Sequence, residues 1–362
     1  MLRMVQKRAL IGTASLLVGC GGVENRELGV ELSGEGTASN GQNTTSDPDG
    51  SGAAGDDDAM TSGSGSQSAT ATMGGGSASS GEEDVKFDVA AMPDFNMVEQ
   101  GCTKVDFLFV IDNSGTMNNE QSNLINSFPG FIDGIQSTLE EVDDYQVGVV
   151  TTDAYSYNSN GCNQLGELVV STGGAYSSND DCGPYAAGAN FMTEADDLAT
   201  TFACAAQVGT SGASIERPMD AMVNVVSKIH GGPGDCNEGY LRDDALLVIV
   251  LITDEWDGPE DPEPDSSSGT PQEWYDAVVA AKLGIAENAV ALGLINWDDP
   301  GGGPVPCSPS TPPYDGVHIR EFVSLFGVNG FLGGVCEPDY GPVFASAVAV
   351  IEDACNNFTP PG

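Results

Sequence analysis

Asp112, Ser114 and Thr116 stand at alternate positions just after the apolar run 107–111. A second aspartate, Asp254, closes another apolar run at 245–253. In extended chain, positions two apart project the same way, so Asp112, Ser114 and Thr116 can face one point. Carboxylates and hydroxyls are hard oxygen donors. They suit Mg²⁺, Mn²⁺ or Ca²⁺ rather than a soft metal. The chemistry available to these four residues is therefore the holding of a divalent cation, provided the fold brings them together.

Short apolar runs rich in β-branched residues suit strands of a parallel sheet, buried on both faces. Parallel strands end on one rim, where open α/β sheets bind ligands. The pattern predicts strands at 105–112, 145–150, 245–253, 289–295 and around Phe331, with a further strand at 167–171. Helical segments are expected at 120–141, interrupted by Pro129, and at 272–286, 317–326 and 343–355. Ile215, Met219, Met222, Val226 and Ile229 form the stripe of another helix, with Pro218 in its first turn. Strands alternating with helices imply an α/β class: a doubly wound, mostly parallel sheet with helices on both faces. Asp153, Glu255 and Asp257 fall near the same rim and read as solvated loop carboxylates. Trp256 and Trp297 follow two rim strands, as partner anchors or as loop packing. His230 and His318 lie in or beside helical segments and read as structural.

Asp112-Asn-Ser114-Gly-Thr116 resembles the Asp-x-Ser-x-Ser motif of the metal-ion-dependent adhesion site of von Willebrand factor type A domains, with threonine in the last place. Asp254, at the end of its hydrophobic strand, is similar to that family's last metal aspartate. The family's middle ligand is a threonine in the loop before a helix, and Gly209-Thr210-Ser-Gly fits it. Ser214 competes for that role. It directly precedes the periodic stripe and suits an N-cap, which leaves Thr210 for the ion. The resemblance covers roughly residues 102–358. It implies a von Willebrand factor A-like fold and hydroxyls that contact Mg²⁺ (or Mn²⁺ or Ca²⁺) directly, with aspartates acting partly through water. It also implies one coordination position left open for a carboxylate of a protein ligand.

Residues 1–19 read as a secretory signal: Arg3, Lys7 and Arg8 precede an apolar stretch at 9–19 that is too short to span a bilayer. Leu17-Val-Gly-Cys20 resembles a bacterial lipobox, which implies lipidation of Cys20 and, with Gly21 next, an outer-membrane lipoprotein held by its lipid alone. Residues 20–100 are the lipidated N-terminus and a disordered Gly/Ser/Asp-rich linker, leaving 101–362 as the folded domain. Eight further cysteines (Cys102, Cys162, Cys182, Cys204, Cys236, Cys307, Cys336 and Cys355) are an even number in an exported domain and point to disulfides. Cys102 with Cys355 and Cys162 with Cys182 are the expected pairs; the rest are not readable from spacing.

The formal charge is −43, which excludes nucleic-acid binding by charge. No Gly-x-Ser-x-Gly, His-Glu-x-x-His or phosphate loop is present, so the chain reads as a non-enzyme. The expected function is a membrane-tethered binding or adhesion module that engages a protein partner through a divalent ion. The alternative is a structural envelope lipoprotein with a metal-bound or vestigial site and no metal-dependent ligand.

Overall fold

The computed structural model describes residues 101–139, 142–159, 161–213, 216–255, 257, 266–296 and 316–362. The expected signal, lipidation site Cys20 and linker, together with Ser214, Ile215, Trp256, Trp297 and Cys307, lie outside the described residues.

Five parallel strands and one short antiparallel strand form a single sheet in the order β3-β2-β1-β4-β5-β6. The parallel strands are β1 (Lys104–Ile111), β2 (Asp144–Thr151), β4 (Leu246–Thr253), β5 (Ala289–Ile295) and β6 (Gly330–Gly334). Strand β3 (Met192–Thr193) runs antiparallel along the outer edge of β2. Every residue of β4 is buried, as expected for a strand covered on both faces. Alternate residues of β1 enter two separate apolar clusters. Phe107, Phe109 and Ile111 belong to one, with residues of α1 (Asn118–Thr138), α2 (Leu198–Ala206) and α6 (Gly341–Asn356). Leu108 and Val110 belong to the other, with residues of α3 (Pro218–Val226), α4 (Pro271–Ala281) and α5 (Val317–Ser324). The α/β class, with a mostly parallel sheet between two helical layers, is therefore as the sequence predicts.

Several expectations are corrected. Pro129 does not interrupt α1, which runs through it from Asn118 to Thr138. The lost backbone bond is outweighed by a continuous buried face of Leu124, Phe128, Phe131, Ile132 and Ile135. Residues 167–171 form no strand of the sheet. Val169 N donates to Val149 O at 2.8 Å, Ser171 makes one bridge to Asp181, and Met192–Thr193 occupies the edge of β2 instead. The helix carrying the apolar stripe ends at Val226, leaving Ile229 exposed.

Cys102 pairs with Cys355, joining the start of β1 to the end of α6. The Cys162–Cys182 pairing is wrong: Cys162 bonds Cys236, and Cys182 bonds Cys204. The two cysteines sit at different places on the long segment after β2. Around Cys162, Asn190 Nδ2 donates to Cys236 O at 2.8 Å. Around Cys182, the Ser178 hydroxyl donates to Cys204 O at 3.0 Å, so this part packs on α2. Cys336 is also disulfide-bonded. Among the described residues no helix is long and apolar enough to cross a membrane.

Candidate metal-binding rim

Strand β1 has β2 on one side and β4 on the other, so the connections leaving this centre run in opposite directions. At such a switch point the loops after adjacent strands diverge and leave a crevice. The parallel register sets Ile111 opposite Ile252 and Thr151. Asp112, Thr152 and Thr253 consequently arrive at the same level of the rim, and Asp254 follows one residue later.

Hydrogen bonds knit these residues together. Asp112 is fully buried; its Oδ1 accepts from Ser114 N at 2.7 Å and its Oδ2 from the Thr253 hydroxyl at 2.6 Å. The Ser114 and Thr116 hydroxyls are 3.2 Å apart, and Thr116 Oγ1 donates to Asp254 Oδ1 at 3.0 Å. Ser114, Thr116 and Asp254 thus form one continuous chain of oxygens, with Asp112 locked behind it. The alternation of Asp112, Ser114 and Thr116 does converge, and Asp254 joins it from a strand about 140 residues away.

The loop carrying Thr210 reaches the same crevice. Gln121, on the buried face of α1, donates through Nε2 to both Asp112 O and Gly209 O, each at 2.9 Å. Its Oε1 accepts from Gly209 N at 3.0 Å. Gly212 N donates to Asn113 O at 2.9 Å, and a Cβ at Gly212 would stand 2.5 Å from Asn113 Nδ2, so only glycine allows this approach. Thr210 is half-buried in this loop; its backbone N–H donates to Ala175 O at 2.8 Å. Its hydroxyl makes no hydrogen bond among the described residues.

The reason for passing over Ser214 does not survive. Helix α3 begins at Pro218, with Arg217 at its N-cap position. The cap role falls to Asp257, which reads from sequence as a solvated loop carboxylate. It is buried, accepting from Met219 N at 3.2 Å and Ser267 N at 2.8 Å. Asp153 lies at the rim as expected, accepting from Asn113 Nδ2 at 3.0 Å and from Ala213 N at 2.7 Å. Glu255 N donates to the Thr253 hydroxyl at 3.0 Å.

Sequence reading missed Gln121, Asn113, Thr152, Thr253 and Glu216. Glu216 is 3% exposed, hydrogen-bonded by the Thr152 hydroxyl through one oxygen, while its Oε1 has no partner. It sits in a loop before α3 with no periodicity to announce it. Gln121 had a signal: an amide on the apolar face of a helix needs partners for three or four hydrogen bonds, and a binding loop is one way to supply them.

The rim is electrostatically uncompensated. Burial raises Asp112 from 3.8 to about 7, and the charge of Asp254 adds to that. Burial also raises Asp254. Glu216 is pushed up to about 9, by burial first and then by the charge of Asp112. The donor set fits a hard divalent cation: clustered hydroxyl and carboxylate oxygens that repel one another unless positive charge joins them. Among the described residues, no three His, Cys, Asp or Glu side chains gather into one metal cluster. Two carboxylates supplemented by hydroxyls are a different donor set from that.

No protein-family model matches the chain, and no curated protein matches it. Among solved structures, two of proximal thread matrix protein 1 from the mussel byssus are similar to it over 69% of this chain. One has 11% identity and a TM-score of 0.32 with 49% of its length covered; the other has 10%, 0.34 and 48%. The chain therefore spans about half the length of the solved structures it matches, and likeness at this level carries no functional inference.

Proposed function

We propose that residues 101–362 are a von Willebrand factor A-like binding module that grips a protein partner through a divalent ion. The reading adds a lipid tether: Cys20 carries the anchor, and the linker to residue 100 holds the module off an outer membrane. The observation that carries it is the oxygen chain Ser114–Thr116–Asp254 in front of buried Asp112, at the crevice where the sheet order reverses. Ser114, Thr116, Asp254 and Thr210 would hold Mg²⁺ (or Mn²⁺ or Ca²⁺), with Asp112 fixing Ser114 from behind. When bound, the ion supplies a positive point that a partner's carboxylate can complete. The protein's own part is to hold the hydroxyls in place: Gln121 fixes the Thr210 loop to the end of β1, and Thr253 fixes Asp112.

The test is calorimetric titration of Mg²⁺ and Mn²⁺ into the purified, chelator-treated chain. Saturable binding is expected, with a thermal upshift corresponding to about 2.7 kcal/mol at a hundred times Kd. Ser114→Ala and Thr116→Ala should lose both effects while keeping the ion-free melting temperature. Asp112→Ala is a poor probe, because that carboxylate is buried and doubly bonded. Unchanged ion binding in the Ser114→Ala/Thr116→Ala double variant would leave the structural lipoprotein as the reading.

A further inference from the structure

Beside the rim, on the β2 side, Tyr176 of the turn at residues 173–181 and Tyr157 packed against that turn present two exposed aromatic rings. Tyr157 is 44% and Tyr176 64% exposed, whereas most aromatic residues of the domain are buried. Tyr157 lies against the backbone of Gly173 and Gly174: a Cβ at Gly173 would meet its ring at 2.6 Å, so the diglycine is a shelf under that ring. A Cβ at Gly174 would meet the Ser211 hydroxyl at 2.7 Å and Tyr157 Cζ at 3.0 Å, so ring and hydroxyl border the same point. The turn is tied to the loop that carries Thr210. Thr210 N donates to Ala175 O, Ala175 N donates to Ser211 Oγ at 2.9 Å, and Gln207 Nε2 donates to Tyr176 O at 3.0 Å. Tyr176 holds φ at +61°, a conformation unfavourable for a bulky residue. The structure therefore keeps an aromatic ring in solvent, in a costly backbone position, next to the candidate ion site.

The stretch of chain that builds this shelf carries charge of one sign. Between Lys104 and Arg217 the chain contains sixteen acidic residues and no lysine, arginine or histidine. That span supplies the turn, the Thr210 loop, Asp112, Ser114 and Thr116. Asp180 and Asp181 are exposed on the same turn. Exposed tyrosines on a stretch of chain rich in carboxylates complement a cation brought by a partner. A guanidinium suits them better than an ammonium, because it stacks flat on a ring and can also donate hydrogen bonds to carboxylate oxygens on either side.

We propose that Tyr157 and Tyr176, with Asp180 and Asp181, form a docking shelf for an arginine-bearing segment of a protein partner. The shelf deepens the ion-dependent reading by supplying the second contact of the same partner, whose carboxylate sits at the ion. It rests on that reading for the carboxylate contact alone. This also resolves an electrostatic conflict: a carboxylate approaching so acidic a domain is repelled unless it arrives with basic neighbours.

The probe is a fluorescent Gly/Ser peptide carrying several arginines and one glutamate, followed by anisotropy with the full chain. Two relatives replace the arginines by citrulline, or the glutamate by glutamine. The citrulline peptide should bind at least about tenfold more weakly, each tyrosine replacement weakening the arginine peptide about two- to fivefold. Tyr176→Asn suits the left-handed backbone, and Tyr157→Leu keeps the packing on the glycines, so both should fold. Asp180→Asn with Asp181→Asn should weaken binding more than Glu352→Gln with Asp353→Asn, an equal charge change on α6 beside Cys102. Absence of binding by the arginine peptide overturns the shelf. So does binding unaffected by both tyrosine variants, or equal loss from the two charge pairs. Retained arginine and tyrosine dependence, with no effect of chelator or of glutamate→glutamine, keeps the shelf and removes the ion from the mechanism.

Discussion

Strand β1 carries a buried aspartate near each end, and the two are treated in opposite ways. Asp106 and Asp112 are both fully buried. Asp106 is met by Arg242: Oδ2 accepts from the backbone N–H at 2.8 Å, Oδ1 from Nε at 2.8 Å, and the guanidinium continues to Asp144. Lys282, itself buried, donates to Arg242 O at 2.7 Å and backs the cluster. Asp112 meets only amide and hydroxyl donors among the described residues, with Asp254 adding negative charge beside it. Burial lifts both carboxyls, Asp106 to about 6 against the pull of Arg242 and Asp112 to about 7 with Asp254 pushing the same way. An acid with its own cation is a closed piece of architecture. An acid left without one, at a ligand-binding rim, is open to a cation from outside.

The largest expected effect tests the closed end. Arg242→Met leaves Asp106 in the core without its partner and should cost about 3–5 kcal/mol, because a buried charge is stranded. Urea unfolding with the disulfides intact measures it. Asp254→Asn should cost under about 1 kcal/mol in chelator, or stabilise the fold, since it removes a charge that repels Asp112. Equal losses at the two ends would break the comparison.

A smaller, pH-dependent effect sharpens it. A carboxyl whose folded value lies above its unfolded one binds protons more readily when folded. Stability is then greatest below the unfolded value and falls as pH rises towards the folded one. In chelator, the domain should lose stability from about pH 4 upwards, through about pH 6 for Asp106, about 7 for Asp112 and about 9 for Glu216. Saturating Mg²⁺ should flatten the Asp112 and Glu216 portions, because the ion offsets the repulsion, and leave the Asp106 portion in place. Identical stability–pH curves with Mg²⁺ and with chelator would deny that the rim is the open end.

Much of this was legible because the signals are local. The runs ending at Asp112 and Asp254 could be read as parallel strands, and strand alternation aimed Ser114 and Thr116. What escaped depends on contacts distant in sequence. Gln121 reads as an ordinary helix residue until Gly209 arrives beside it, 88 positions away. Asp106 sits in an apolar run with nothing nearby to show that Arg242 would meet it. The Cys162–Cys182 expectation failed for the same reason: nearness along the chain substituted for nearness in space. Asp257 was misjudged because an aspartate after a rim strand looks like a loop carboxylate, whereas α3 needed an acceptor for Met219 N.

The smallest effect separates burial from pairing at the closed end. Lys104 Nζ lies 2.5 Å from Asp244 Oδ2, a shorter contact than any oxygen–nitrogen pair between Arg242 and Asp106, but both side chains are substantially exposed at 34% and 53%. Distance alone would rank this pair above Arg242–Asp106. Water screens it, and ordering two surface side chains offsets its attraction, so Lys104→Ala should cost under about 1 kcal/mol. Its pH signature should also be reversed. The hydrogen bond from Lys104 holds Asp244 below its ordinary value. The small stabilisation is therefore present above about pH 4 and disappears as pH falls through the lower folded value. Urea midpoints for Lys104→Ala against the wild type, at neutral pH and near pH 3, measure this difference. A loss at neutral pH as large as that of Arg242→Met would mean that contact distance, rather than burial, grades the ion pairs of this sheet.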